Sequence, residues 1–151
     1  MKILLYISLL LSSVSFAENV DKIDSLRRLI SNGHDTSNIN IYNQIAWEYR
    51  NSDLALTDSF AHIAINISNK INYSKGIGQG YICLALVERN AGNYQEAIAK
   101  SRWALLQFVK INHQAGYSSA YNTIASINHI QGNYAIALYY YFLSLNISES
   151  L

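Results

Sequence analysis

Three groups of residues have types that could do chemistry. The string GIGQG at 76–80 has the glycine content of a loop that cradles phosphate, four histidines (His34, His62, His113, His129) could ligate a metal, and Cys83 could serve as a nucleophile. Each fails on its surroundings. A phosphate loop needs a strand before it and a helix after it, whereas 63–71 has helical spacing and the segment 40 residues further on reads GYSSA. The histidines form no pair at i, i+3 or i+4 and have no cysteine beside them, so a zinc site is not expected. Cys83 stands between Ile82 and Leu84 and reads as a small buried hydrophobe, not a reactive thiol. Scattered acids such as Asp53, Asp58, Glu88 and Glu96 accompany no nucleophile motif. The expectation is a protein that is not an enzyme and holds no metal and no cofactor: it works by binding.

What positions these residues is a repeat. Gly76, Tyr81, Ala85, Gly92, Asn93, Tyr94 and Ala97 recur 40 residues later as Gly116, Tyr121, Ala125, Gly132, Asn133, Tyr134 and Ala137. An earlier, degenerate unit matches at an offset of 39 through Tyr42, Ala46 and Arg50, with one extra residue in its turn near Ser52. Within unit two, Tyr81, Leu84, Ala85 and Glu88 fall on one helical stripe. The small residue repeated at Ala46, Ala85 and Ala125 lets a partner helix approach closely. In the AGNY turn at 91–94, Gly92 can take the left-handed conformation that ends a helix. Asn93 is expected to cap the next helix, with Glu96 completing a capping box. Ile136 replaces that glutamate in unit three, so a weaker cap is expected there. The spacing predicts helices at 19–32, 38–51, 55–70, 76–91, 94–111, 117–131 and 134–149. The fold class is all-α, an α-solenoid of antiparallel helix pairs with repeats at 38–75, 76–115 and 116–151. The leading helix, within 18–37, carries Val20, Ile23, Leu26 and Ile30 on one side and Asp21, Asp24, Arg27 and Arg28 on the other, as a capping helix would.

The bulk properties agree. Residues 1–17 read MKILLYISLLLSSVSFA, a cation, an apolar run and small residues before a cut after Ala17, which is the layout of a secretion signal. Export, in a bacterial setting to the periplasm, is the expectation. The remaining 134 residues carry ten cations and ten acids, which gives no electrostatic reason for a nucleic-acid partner. A single cysteine rules out an internal disulfide, and the absence of proline suits long uninterrupted helices.

The strings YICLALVERNAGNYQEAIAKSRWA and YNTIASINHIQGNYAIALYYYFLS resemble the tetratricopeptide (TPR) repeat, and the likeness runs over residues 38–149. The departures are the long period and the missing proline at the end of each unit. Repeats of this length are similar to those in bacterial signalling proteins, including exported sensor portions of histidine kinases. The resemblance implies a right-handed superhelix whose concave wall is the first helix of each pair. Carried over residue by residue, it places Asn43, Trp47 and Arg50, then Ile82, Leu86 and Arg89, then Asn122, Ser126 and His129 along a peptide-binding groove. Arg50, Arg89 and His129 share one repeat position, which would suit an acidic or C-terminal carboxylate ligand.

The last helix, YAIALYYYFLSLNIS, has almost no polar face. Tyr139, Tyr140, Phe142 and Leu143 are expected to form a docking surface, covered by further repeats of a longer protein or by another chain. Two functions follow as expectations. The first is an exported protein- or peptide-binding scaffold serving as the ligand-sensing module of a larger signalling protein. The second is a structural adaptor of an envelope complex that docks through this helix.

Overall fold

The structure is a computed structural model, and it describes residues 22–30 and 35–150. The expected secretion signal, with Val20 and Asp21, lies outside the described residues. Among the described residues every regular element is a helix: α1 at 22–28, α2 (Thr36–Tyr49), α3 (Leu54–Lys70), α4 (Ser74–Asn90), α5 (Tyr94–Lys110), α6 (Gln114–Ile130) and α7 (Tyr134–Glu149). The pairs α2–α3, α4–α5 and α6–α7 stack in chain order, each pair packing its first helix on the second helix of the pair before. The protein is an all-α solenoid of helix pairs. None of the described helices is long and apolar enough to cross a membrane.

The turns explain the period. Gly92 and Gly132, inside units, and Asn72 and Asn112, between units, all take positive φ, from 50° to 83°. In each case the following residue donates its N–H to the carbonyl five residues back: Tyr73 to Ser68, Asn93 to Glu88, His113 to Phe108 and Asn133 to Asn128, at 2.8 to 3.0 Å. This is the hydrogen-bonded helix end that a left-handed residue permits. Asparagine tolerates the conformation better than other residues with a Cβ. The turn of unit one, 50–53, has one residue more than 91–93 or 131–133, as the 39-residue offset requires.

Two local expectations are corrected. Asn93 makes no side-chain cap; its amide donates instead to Glu88 Oε2 (2.9 Å), and Glu96 pairs with Lys100 (2.7 Å), so no capping box forms. Asn133 makes no side-chain cap either, so the two units do not differ in the way expected. Helices α4 and α6 also begin earlier than predicted, at Ser74 and Gln114, which puts Gly76 and Gly116 inside helices. Caps do occur where the chain offers an acceptor. Asp35 and Asp53 accept from Asn38 and Leu56 (2.9 Å each), and His113 Nδ1 accepts from the Gly116 N–H (2.8 Å).

These helical glycines are where neighbouring pairs meet. The fully buried Phe108 ring on α5 lies against Gly78 of α4 and Gly116 of α6, and a Cβ on Gly78 would stand 2.6 Å from its Cε1. At the equivalent place one unit earlier, Ser68 lies against Gly76. Ala46, Ala85 and Ala125 are fully buried, as a close helix approach demands. At the front of the stack, Ile23 and Leu26 of α1 join Ile45 in one core cluster, and Lys22 pairs with Glu48 at 2.7 Å.

Gly116→Ala tests this packing. An alanine in a helix interior ordinarily gains up to about 1 kcal/mol over glycine. Here the new methyl meets the Phe108 ring, which Gly78's helix holds from the other side. We expect a net loss of about 1–3 kcal/mol, the usual cost of overpacking, read as a lower urea midpoint at unchanged slope.

Candidate functional site: an amide-lined groove pocket

The first helices α2, α4 and α6 lie side by side, so equivalent positions along them line up across the stack. One cavity of about 540 Å³ opens against all three. Asn40, Asn43, Gln44 and Trp47 come from α2, Lys75, Gln79, Ile82 and Cys83 from α4, and Ala115, Gly116 and Ser119 from α6. Phe108 and His113 close the floor. The size falls within the range of small-ligand sites, about 300–1,000 Å³.

The chemistry of the wall is unusual in its carboxamides. Four of them line it, with one ammonium (Lys75), one imidazole and no acid. Asn43 is 4% exposed, and its Nδ2 donates to the Gly76 carbonyl at 3.0 Å. A carbonyl only accepts, so that bond fixes which way the amide faces and turns Oδ1 away as an acceptor. Asn43 Oδ1 and Gln79 Oε1 are both buried and accept no hydrogen bond from the described residues. Leaving a buried acceptor unpaired costs about 1–3 kcal/mol. A third such atom, Ser68 Oγ, lies under Gly76 and does not line the cavity. His113 accepts at Nδ1, so its ring proton sits on Nε2, and the ring stacks on Phe108 with centroids 5.5 Å apart.

Of the nine expected groove residues, Asn43, Trp47 and Ile82 line this cavity. Leu86 is buried in the stack, while Asn122 is exposed on α6. The cationic row is engaged within the protein. The Arg50 guanidinium lies 4.1 Å over the Trp47 ring and its Nη1 donates to the Trp47 carbonyl. Arg89 donates to Asn90 Oδ1 and, across to the next unit, to Ser126 Oγ at 3.3 Å. The His129 ring meets Tyr134 edge-on at 5.5 Å. The pocket lies one turn nearer the helix N-termini than this row. Asn40 precedes Asn43 by three residues and Gln79 precedes Ile82 by three. Following the same stripe one turn back in the sequence would have found them.

On the last helix, Tyr139 and Phe142 are each 60% exposed, whereas Tyr140 and Leu143 are half-buried, Tyr140 with its ring 5.9 Å from Tyr121. Ala137 is the buried residue of α7. Repeat equivalence divides this face in two. Tyr134, Leu138, Tyr141 and Leu145 are exposed, but their counterparts on α5 (Tyr94, Ile98, Ser101 and Leu105) are buried or half-buried with α6 packed on that helix. Phe142 stands where His62 and Arg102 stand, and both of those stay exposed even with a following helix in place.

Cys83 forms part of the cavity wall, yet burial pushes its thiol up to about 12, against a weaker opposing pull from Arg50. It is therefore neutral across the physiological range. At pH 8 the native protein should resist iodoacetamide for hours and be labelled rapidly once unfolded in urea. Fast native labelling, read by intact mass, would contradict this burial. No family model matches the chain, and no curated protein or solved structure matches it significantly, so its helical-repeat architecture rests on its own internal repeat and on this fold.

Proposed function

We propose that the protein is an exported scaffold of TPR type that captures a protein or peptide segment in the groove formed by α2, α4 and α6. The observation that carries this reading is the cavity shared by the first helices of all three units, walled by carboxamides. A preformed groove of rigid helices binds without ordering itself, which preserves affinity that a flexible loop would lose. The reading needs no catalytic group. Residues 1–17 supply the export signal. Capture at the groove makes the chain the ligand-sensing part of a signalling protein.

Trp47 reports on the site directly. The chain has two tryptophans, so Trp103→Phe leaves Trp47 as the sole indole. A peptide selected from a random display library should shift the emission of that variant saturably. Trp47→Ala should weaken the same peptide by about tenfold, the size of one lost side-chain contact of 1.4 kcal/mol. A selected peptide that leaves Trp47 emission untouched binds elsewhere and overturns the assignment.

A second reading, a structural adaptor, is favoured by α7. Its apolar residues surround the helix, a pattern that belongs to buried helices. The occupant is a second copy of this chain, whose helix would lie on Tyr134, Leu138, Tyr141 and Leu145 as α6 lies on α5. Phe142, at a repeat position left open even in a continued stack, widens the contact to a mutual one. Light scattering should then find a dimer that Leu138→Glu and Phe142→Glu each convert to a monomer. A wild-type monomer at every concentration would remove this reading.

A further inference from the structure

We infer that the exposed face of α5 is a docking surface for an anionic lipid membrane: Trp103, Leu106 and Val109 enter the boundary between headgroups and acyl chains, and Arg102 and Lys110 meet the phosphates beside them. The inference is independent of the groove and of the contact drawn for α7.

With 3.6 residues per turn, Arg102, Trp103, Leu106, Val109 and Lys110 fall within about 120° of one face of the helix. All five are exposed, and the three apolar ones are each more than half exposed. They stay exposed although α6 already packs on α5, so a further repeat is not what covers them. Nor does the stack itself require apolar residues here. On α3 the positions of Leu106 and Val109 hold Asn66 and Asn69, which are also exposed. On α7 the same face continues through Tyr139 and Phe142, both exposed.

Charge selects the occupant. The chain is balanced overall but not along its length. Residues 18–96 hold nine of its ten acids, and 97–148 hold none, against Lys100, Arg102 and Lys110. Lys100 is neutralised by Glu88 and Glu96 at 3.4 and 2.7 Å. Among the described residues Arg102 and Lys110 have no carboxylate partner, and Lys110 donates to the neutral Gln107 Oε1. An indole and two aliphatic side chains flanked by such cations match the layered chemistry of a lipid interface, where apolar groups sink below a plane of phosphates. A nucleic acid would gain nothing from Leu106 and Val109. An acidic protein would need carboxylates matched to two cations and sockets for three projecting side chains, whereas a fluid lipid layer adapts to both. Helix α5 is not long and apolar enough to span a bilayer, so it lies along the surface.

The test uses the processed chain, cut after Ala17 so that the apolar leader cannot itself hold lipid, with Trp47→Phe leaving Trp103 as the only indole. Vesicles of phosphatidylglycerol mixed with phosphatidylcholine should shift its emission saturably to the blue, and acyl-brominated lipids should quench it. Leu106→Glu should weaken partitioning by about tenfold or more, the loss of one buried leucine, with circular dichroism and light-scattering mass unchanged. Arg102→Gln and Lys110→Gln should each weaken it by about fivefold, an effect that fades in high salt. Partitioning as strong to pure phosphatidylcholine removes the role of the cations and overturns the inference. A Leu106→Glu variant that partitions as the parent does places the contact elsewhere and overturns it too. Emission unmoved by every vesicle overturns the inference and leaves the ridge to a protein partner. The peptide test of the groove and the light-scattering test of α7 keep their own outcomes in each case.

Discussion

The whole stack depends on how closely the first helix of one unit can approach the second helix of the unit before. That distance is set where a side chain is absent. Gly116 accepts the Phe108 ring and Gly76 accepts Ser68 across that joint, while Gly78 takes the other side of the ring within its own pair, where the buried alanines also lie. A larger side chain at any of these places would push the axes apart, and a close-packed interior does not yield by small adjustments. The helical glycines cost some intrinsic helix stability. The chain offsets that cost with a ring that fills its site completely.

The same approach creates the cavity. Phe108 and Gly116 line the cavity from α5 and α6, and of the carboxamides on α2 and α4 Asn43 is buried while Asn40 and Gln44 are exposed. The local cost is chemical and not conformational: among the described residues, two of the three buried side-chain atoms without a hydrogen-bond partner belong to residues of this cavity wall. Polar groups in that condition are uncommon in folded proteins, and their clustering in one cavity sets it apart from the rest of the surface.

The architecture was legible in the sequence because its determinants are local and repeated. Seven identities at one offset, Gly92 and Gly132 at the turns, and the extra residue of the first turn all follow from short-range geometry. What was not legible depends on partners distant in the chain. Asn93 gave the local pattern of a cap, but Glu88 competes for its side chain. Gly76 and Gly116 looked like helix starts because glycine breaks helices, whereas Phe108 and Ser68 require them inside. In the groove, Asn43 and Ile82 came with the resemblance to the TPR repeat, but their neighbours Asn40, Gln44 and Gln79 did not. Only the packed helices show which end of that stripe is hollow. Arg50, Arg89 and His129 share a repeat position, yet each side chain found a partner within the protein that spacing could not reveal.

The units are separated by asparagine and folded in half by glycine. Asn72 and Asn112 close one unit and open the next with the same left-handed turn and the same backbone bond. The segment between them is thus a cassette with matching ends. A tandem copy of 73–112 placed after Asn112 would meet a joint with the same left-handed asparagine and the same backbone bond on each side. Such a chain can lengthen by gene duplication without redesigning a joint, and a longer groove would arise from the same 40 codons.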